Sequence, residues 1–177
     1  KLVRSEKGVA AVEFAFIAPV FLLLMGIMLE TGLMAFTEFV LQSGVQRAAR
    51  EVKTGVAQNA AYSAADFKNK ICSLVGVLIN CGQVYVYVKP DTSFAALNAS
   101  VPDPLTVGPS YGGGGTVQNY SCGGPMQAVA IVATYDWKFS IPYFMEPLGN
   151  VDGGKTRRLV GISTFRNEPF PQSKTCS

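Results

Sequence analysis

The sequence predicts an α+β chain in which a long N-terminal transmembrane helix continues into a small disulfide-stapled domain with a three- to four-stranded antiparallel sheet. Three observations carry that expectation. An apolar segment runs from Phe14 to Leu41 behind a short basic flank. All four cysteines, Cys72, Cys81, Cys122 and Cys176, lie after that segment. Three β-rich stretches follow in the C-terminal two-thirds of the chain.

The helix comes first in the chain and is the strongest signal. A length of 177 residues fits one domain plus an anchor. Charged residues make up only 15% of the chain, below the roughly 25% of soluble domains, and the apolar excess is concentrated between Phe14 and Leu41. Phe14–Leu29 alone is sixteen residues, short of the ~20 that a spanning helix needs. Extension to Phe36 gives 23 residues with one charge, Glu30. Lys1, Arg4 and Lys7 outnumber Glu6 on the N-terminal flank, which predicts a cytoplasmic N-terminus and a periplasmic remainder. A cleaved secretory signal has a similar outline, but Glu13 separates the basic residues from the apolar core, and the span is expected to be retained.

Beyond the span, Leu33, Phe36, Val40, Leu41, Val45, Ala48, Ala49 and Val52 recur at mostly three- and four-residue spacings, so the helix is predicted to continue with this face covered. Arg47, Arg50 and Lys53 fall on the solvated side. Thr54-Gly55 is the expected stop. One helix from about Val12 to Lys53 would be ~60 Å long, twice the hydrocarbon thickness. The resulting organisation is residues 1–13 as a cytoplasmic basic segment, 14–36 as the span, 37–56 as its periplasmic extension and 57–177 as a periplasmic α+β domain.

Within that domain, Ser63 and Asp66 form a capping-box signal for a short helix through Phe67, Ile71, Leu74 and Val75. Strands are predicted at Gln83–Lys89, Gln127–Ser140 and Arg158–Phe165. Pro90–Gly124 reads as one long loop, and a loop of this length is expected to be functional or tied down. Its run Gly112–Gly115, inside the Gly-rich stretch 107–117, lacks the Lys-Ser/Thr of a phosphate cradle and reads as a loop or hairpin tip. Four cysteines allow three pairings. Cys72 and Cys81 flank the turn before the first strand, while Cys122 leaves the long loop and Cys176 is penultimate. The expected bonds are therefore Cys72–Cys81 and Cys122–Cys176, which suit an oxidising compartment.

Composition also excludes functions. The chain has no histidine, which removes the commonest general acid/base and metal ligand. No C-x-x-C pair is present. Asp136, Glu146, Asp152 and Glu168 form no recognisable catalytic constellation, and Lys68, Lys70, Lys155, Arg157 and Arg158 are not interleaved with stacking aromatics. No enzyme activity, catalytic residue, cofactor, metal, nucleic acid or small-molecule substrate is expected.

The junction of flank and span reads Gly8-Val9-Ala-Ala-Val-Glu13-Phe14. It resembles the processing site of class III signal sequences in type IVb pilins and pseudopilins: glycine, four small or apolar residues, glutamate, then an aromatic. The longer stretch EKGVAAVEFAFIAPVFLLLMGIMLETG resembles the N-terminus of TadE-like proteins of the tight-adherence pilus system, and AAREVKTGVAQ and FRNEPF are similar to later pieces of that family. The resemblance covers Arg4 to about Gln58 and returns at Phe165–Phe170. It implies a pilin-like fold, a bacterial inner-membrane location and a structural role as pseudopilin or pilus-assembly component. It also implies a prepilin-peptidase cut between Gly8 and Val9. A chain that still carries Lys1–Gly8 departs from the processed form, which points to anchoring without release into a filament. An accessory subunit of another inner-membrane complex, respiratory or photosynthetic, is the alternative.

Two carboxylates are left open. In the family's terms Glu13 offsets a neighbour's new N-terminal amine; otherwise it rests at the cytoplasmic headgroups. Glu30 either reaches the outer headgroups or faces a protein partner together with Gly26 and Gly32, where backbones can approach closely. Pro19 should bend the helix. The partners implied are membrane lipid and other transmembrane subunits, either pilus proteins or a host membrane complex.

Overall fold

The computed structural model describes residues 7–109, 116–171 and 176. Lys1, Arg4, Glu6 and Gly112–Gly115, and the side chains of Lys7 and Leu74, lie outside that set. Helix α1 spans Lys7–Lys53 and passes through Pro19 without a break. It starts five residues earlier than the sequence predicts and is ~70 Å long at 1.5 Å per residue. By length and composition it is able to cross a membrane: its most apolar window has a mean hydropathy of 2.4 and is wholly unburied. Inside this apolar rod, Thr31 and Thr37 donate their hydroxyls back to the carbonyls of Ile27 and Leu33 at 2.8 and 2.7 Å, so neither needs water.

A short α2 (Val56–Asn59) and α3 (Ala64–Val75) follow. The capping box at α3 is complete: Ser63 Oγ accepts from Asp66 N at 3.2 Å, and Asp66 Oδ2 accepts from Ser63 N at 3.0 Å. Then come β1 (Val84–Asp91), α4 (Phe94–Ser100), β2 (Val117–Tyr120), β3 (Ala128–Lys138), α5 (Pro142–Met145) and β4 (Thr156–Arg166). The four strands form one sheet in the order β2-β1-β3-β4.

That sheet corrects two expectations. It is mixed, because β2 runs parallel to β1 while the β1–β3 and β3–β4 pairs are antiparallel. The predicted loop Pro90–Gly124 also holds two elements, α4 and β2. Parallel neighbours require a crossover, and the segment after β1 supplies it, starting with α4, which Ser93 caps by accepting from Ala96 N at 3.1 Å.

Alternation along the strands sorts the two faces. Val84, Val86, Val88, Val129, Ile131, Ala133 and Leu159 point to the core shared with α1 and α3. Tyr87, Ala128, Ala130 and Val132 point the other way, under α4 and the segment around Val107. From α1 the core takes Met34, Leu41, Val45, Ala48, Ala49 and Val52. Each large side chain among these contributes ~1.5–3 kcal/mol relative to exposure. Leu33 and Phe36 were expected on the covered face but are exposed; Met34 and Thr37 take those places. The buried stripe continues downward through Glu30, which shifts the covered face by one position. Close approach occurs at β4, where a Cβ on Gly161 would lie 3.0 Å from Val45 Cγ2 and 3.3 Å from the Leu41 carbonyl oxygen. Gln42 bonds the backbone of Ile162 in both directions, donating to its carbonyl and accepting from its N–H at 2.8 Å each. The exposed edge of the sheet is thereby partly covered.

The helix end is held by distant parts of the chain. Gly55 has φ +81° and ends the helix, and Glu168 N donates to Lys53 O at 2.9 Å. Gln58 Nε2 and Asn167 Nδ2 both donate to Cys122 O at 3.0 Å. Cys122 is bonded to Cys176, and Cys72 to Cys81, with Cα separations of 5.9 and 5.7 Å; each bond is worth ~2–4 kcal/mol. A Cβ on Gly55 would lie 2.5 Å from Phe170 Cγ. Gly55→Ala is therefore expected to destabilise the full chain in detergent by about 1–3 kcal/mol, from the left-handed backbone alone, as read by chemical denaturation. An unchanged midpoint would show that the fold does not need the left-handed conformation at position 55.

Candidate functional site

The residues that the sequence singles out fall into two groups along α1. Gly8, Val9, Glu13 and Phe14 lie on the bare N-terminal part, all exposed and away from the domain. Phe14, Phe16, Ile17, Val20, Phe21, Leu22, Leu24 and Met25 are likewise exposed. Such a length of uncovered apolar surface is not stable in water and marks a membrane or protein contact.

The second group sits where the domain first meets the helix. Glu30 is only 7% exposed, and its Oε1 accepts from Ser140 N at 2.6 Å. A Cβ on Gly26 would lie 3.2 Å from Ile141 Cδ1, whereas one on Gly32 would meet nothing within 4 Å. Gly26 and Glu30 thus face the chain's own β3–β4 connection, an arrangement that neither sequence reading of Glu30 contains. The cause is topological: β3 delivers Ser140 and Ile141 to the helix, and an i, i+4 pair presents one small and one acceptor side chain to them. Domain contact therefore begins at Gly26, and no break in α1 marks residue 36, where the span was expected to give way to its extension.

Charged groups elsewhere are structural. Asp136 and Arg158 face each other across β3 and β4. Arg158 Nε and Nη2 donate to the two carboxylate oxygens at 2.6 and 2.8 Å, and Nη1 donates to Leu105 O at 2.5 Å. The Asp136 hydrogen bonds push the Arg158 guanidinium pKa up. Sequence reading placed Arg158 among scattered bases and Asp136 among unremarkable acids; their register is the signal that joins them. Lys70 Nζ meets Glu51 Oε1 at 2.7 Å, and Tyr62 Oη donates to Glu51 Oε2 at 3.1 Å, tying α3 to α1. Burial, then Glu51, raises the Tyr62 pKa, and Glu51 raises that of Lys70. Among the described residues no cluster of three His, Cys, Asp or Glu side chains is placed to hold a metal.

Fold and site together define a class: a small α+β domain built onto the outer half of one long apolar helix, whose inner half is left bare for other contacts. Over residues 8–50, nearly the whole of α1, the chain matches the family model of TadE-like protein. No curated protein and no solved structure matches the chain.

The Glu30 junction makes a direct prediction. Glu30→Gln keeps an acceptor for Ser140 N and should melt like the parent chain. Glu30→Leu strands that N–H in a partly buried site, a loss of about 1–3 kcal/mol, and should bring faster proteolysis between Phe139 and Gly149. Equal proteolysis of the two variants would contradict the pairing.

Proposed function

We propose that the protein is a single-span pseudopilin or assembly component of a tight-adherence pilus, acting by structure and contact rather than catalysis. The observation that supports this most is the placement of Gly8-x4-Glu13-Phe14 at the head of an uncovered apolar helix that matches the TadE-like family. In this reading the twenty residues Val9–Met28 cross the inner membrane, ~30 Å at 1.5 Å per residue. The N-terminus is cytoplasmic, in keeping with the basic flank, and the domain is periplasmic, where Cys72–Cys81 and Cys122–Cys176 persist. Glu13 then lies near the cytoplasmic leaflet, where an unpaired carboxylate is costly and a neighbour's amine is a favourable partner. The exposed Leu29, Leu33, Phe36 and Phe39 offer an apolar surface to other subunits.

Co-expression with a prepilin peptidase should remove Lys1–Gly8 and leave Val9 as the N-terminus by mass spectrometry, and Gly8→Leu should block the cut. Cells lacking the protein should lose surface pili. Intact protein after peptidase exposure, together with normal piliation in the deletion strain, would overturn the reading. Stoichiometric co-purification with a respiratory or photosynthetic complex would then favour the accessory-subunit role.

A further inference from the structure

The end of the sheet nearest Glu30 carries a second apolar feature. β1 starts at Val84 opposite Tyr135, β3 ends at Lys138 and β4 starts at Thr156 opposite Lys138. The α3–β1 turn and the β3–β4 connection therefore leave the sheet at the same end, the end where Ser140 meets the helix. Large apolar side chains at this end are open. Tyr143 is 91% and Phe144 57% exposed on α5, Val77 is 98% exposed in the α3–β1 turn, and Leu78 and Leu148 are also exposed. The exposure does not come from a loose loop, because Phe139 and Met145 on either side are buried in the core. The backbone is pinned to Glu30, and Ile141 packs at Gly26.

We propose that the β3–β4 connection Ile141–Leu148 is a second membrane contact, seated in the outer lipid–water interface through Tyr143 and Phe144 with Val77–Leu78 beside it. This rests on the span proposed above, and the geometry follows from it. If Val9–Met28 fills the hydrocarbon, Gly26 and Glu30 bracket its outer boundary, and whatever touches them lies at the outer headgroups. The occupant is lipid because the patch is continuous with the bare helix surface through Ile141 and Gly26. A tip held at that depth has lipid as its surroundings before any partner arrives. The residue types suit the place: aromatic rings favour the interface, where an apolar body meets a polar tip. Lys138, Glu146, Asp152 and Lys155 are exposed at the same end and can keep their charges in the headgroup layer. Two contacts, one spanning and one interfacial, would fix the tilt of α1 and the face of the domain turned from the membrane.

Tryptophan quenching tests this on the full chain. In a Trp137→Phe background, single tryptophans at Tyr143, Phe94 and Phe21 are reconstituted in phosphatidylcholine vesicles holding lipids brominated either near the headgroup or near the chain end. Phe94, at the start of α4, follows the opposite end of β1, so its tryptophan serves as the dry-land control. Tyr143→Trp should lose fluorescence to headgroup-proximal bromines, Phe21→Trp should lose it to chain bromines, and Phe94→Trp should lose none. Quenching at Phe21→Trp with none at Tyr143→Trp would overturn the inference and leave the span standing. Loss of the Phe21→Trp signal change would overturn the span itself. Tyr143 is so exposed that its replacement disturbs little packing; Phe144→Trp provides a second reading of the same depth.

Discussion

The structure depends on one constraint: the inner face of its sheet is closed by α3 and the outer half of α1 together, with α1 lying against β3 and β4. Val129, Ile131 and Leu159 share one core with Leu41, Val45, Ala48 and Val52 of α1, and Phe67, Ile71 and Val75 of α3 complete it. A four-stranded sheet with one uncovered apolar face is not stable. Gly161 lets helix and strand approach until Val45 touches β4. The long apolar helix and the domain core are therefore one object. The domain cannot rotate about a linker, because α1 runs unbroken from Gly26 to Lys53.

The second disulfide and the helix end complete that object. Gln58 and Asn167 reach the Cys122 carbonyl from either side of it in sequence, Phe170 closes on Gly55, and Glu168 caps Lys53. The stretches AAREVKTGVAQ and FRNEPF thus meet in space at the far end of α1. What they share is architecture. Their residues end the helix and bind the end of β4 to it.

Much of this was legible from residue order. The Ser63–Asp66 cap, the Thr54-Gly55 stop and the three longer strands each rest on local signals: a side chain three residues from the backbone group it bonds, a glycine able to take positive φ, a period of two. Elements decided by distant partners were not legible. β2 is four residues of Val-Gln-Asn-Tyr whose parallel pairing leaves no hairpin turn to detect. Leu33 and Phe36 fit an apolar helical face as well as Met34 and Thr37 do, and only tertiary contacts such as Glu30–Ser140 and Gln42–Ile162 choose between the faces. Asp136 and Arg158 become a pair only when the β3–β4 register is known.

The central claim, that the outer half of α1 and the sheet are one cooperative unit, is tested most directly by hydrogen exchange on the full chain in detergent. Peptides covering Leu41–Val52 and those covering Val129–Ala133 should exchange together at one slow rate, and should gain exchange together as denaturant is added. Exchange of the helix peptides ahead of the strand peptides, with the sheet still protected, would show a domain that stands without its helix and would contradict the account.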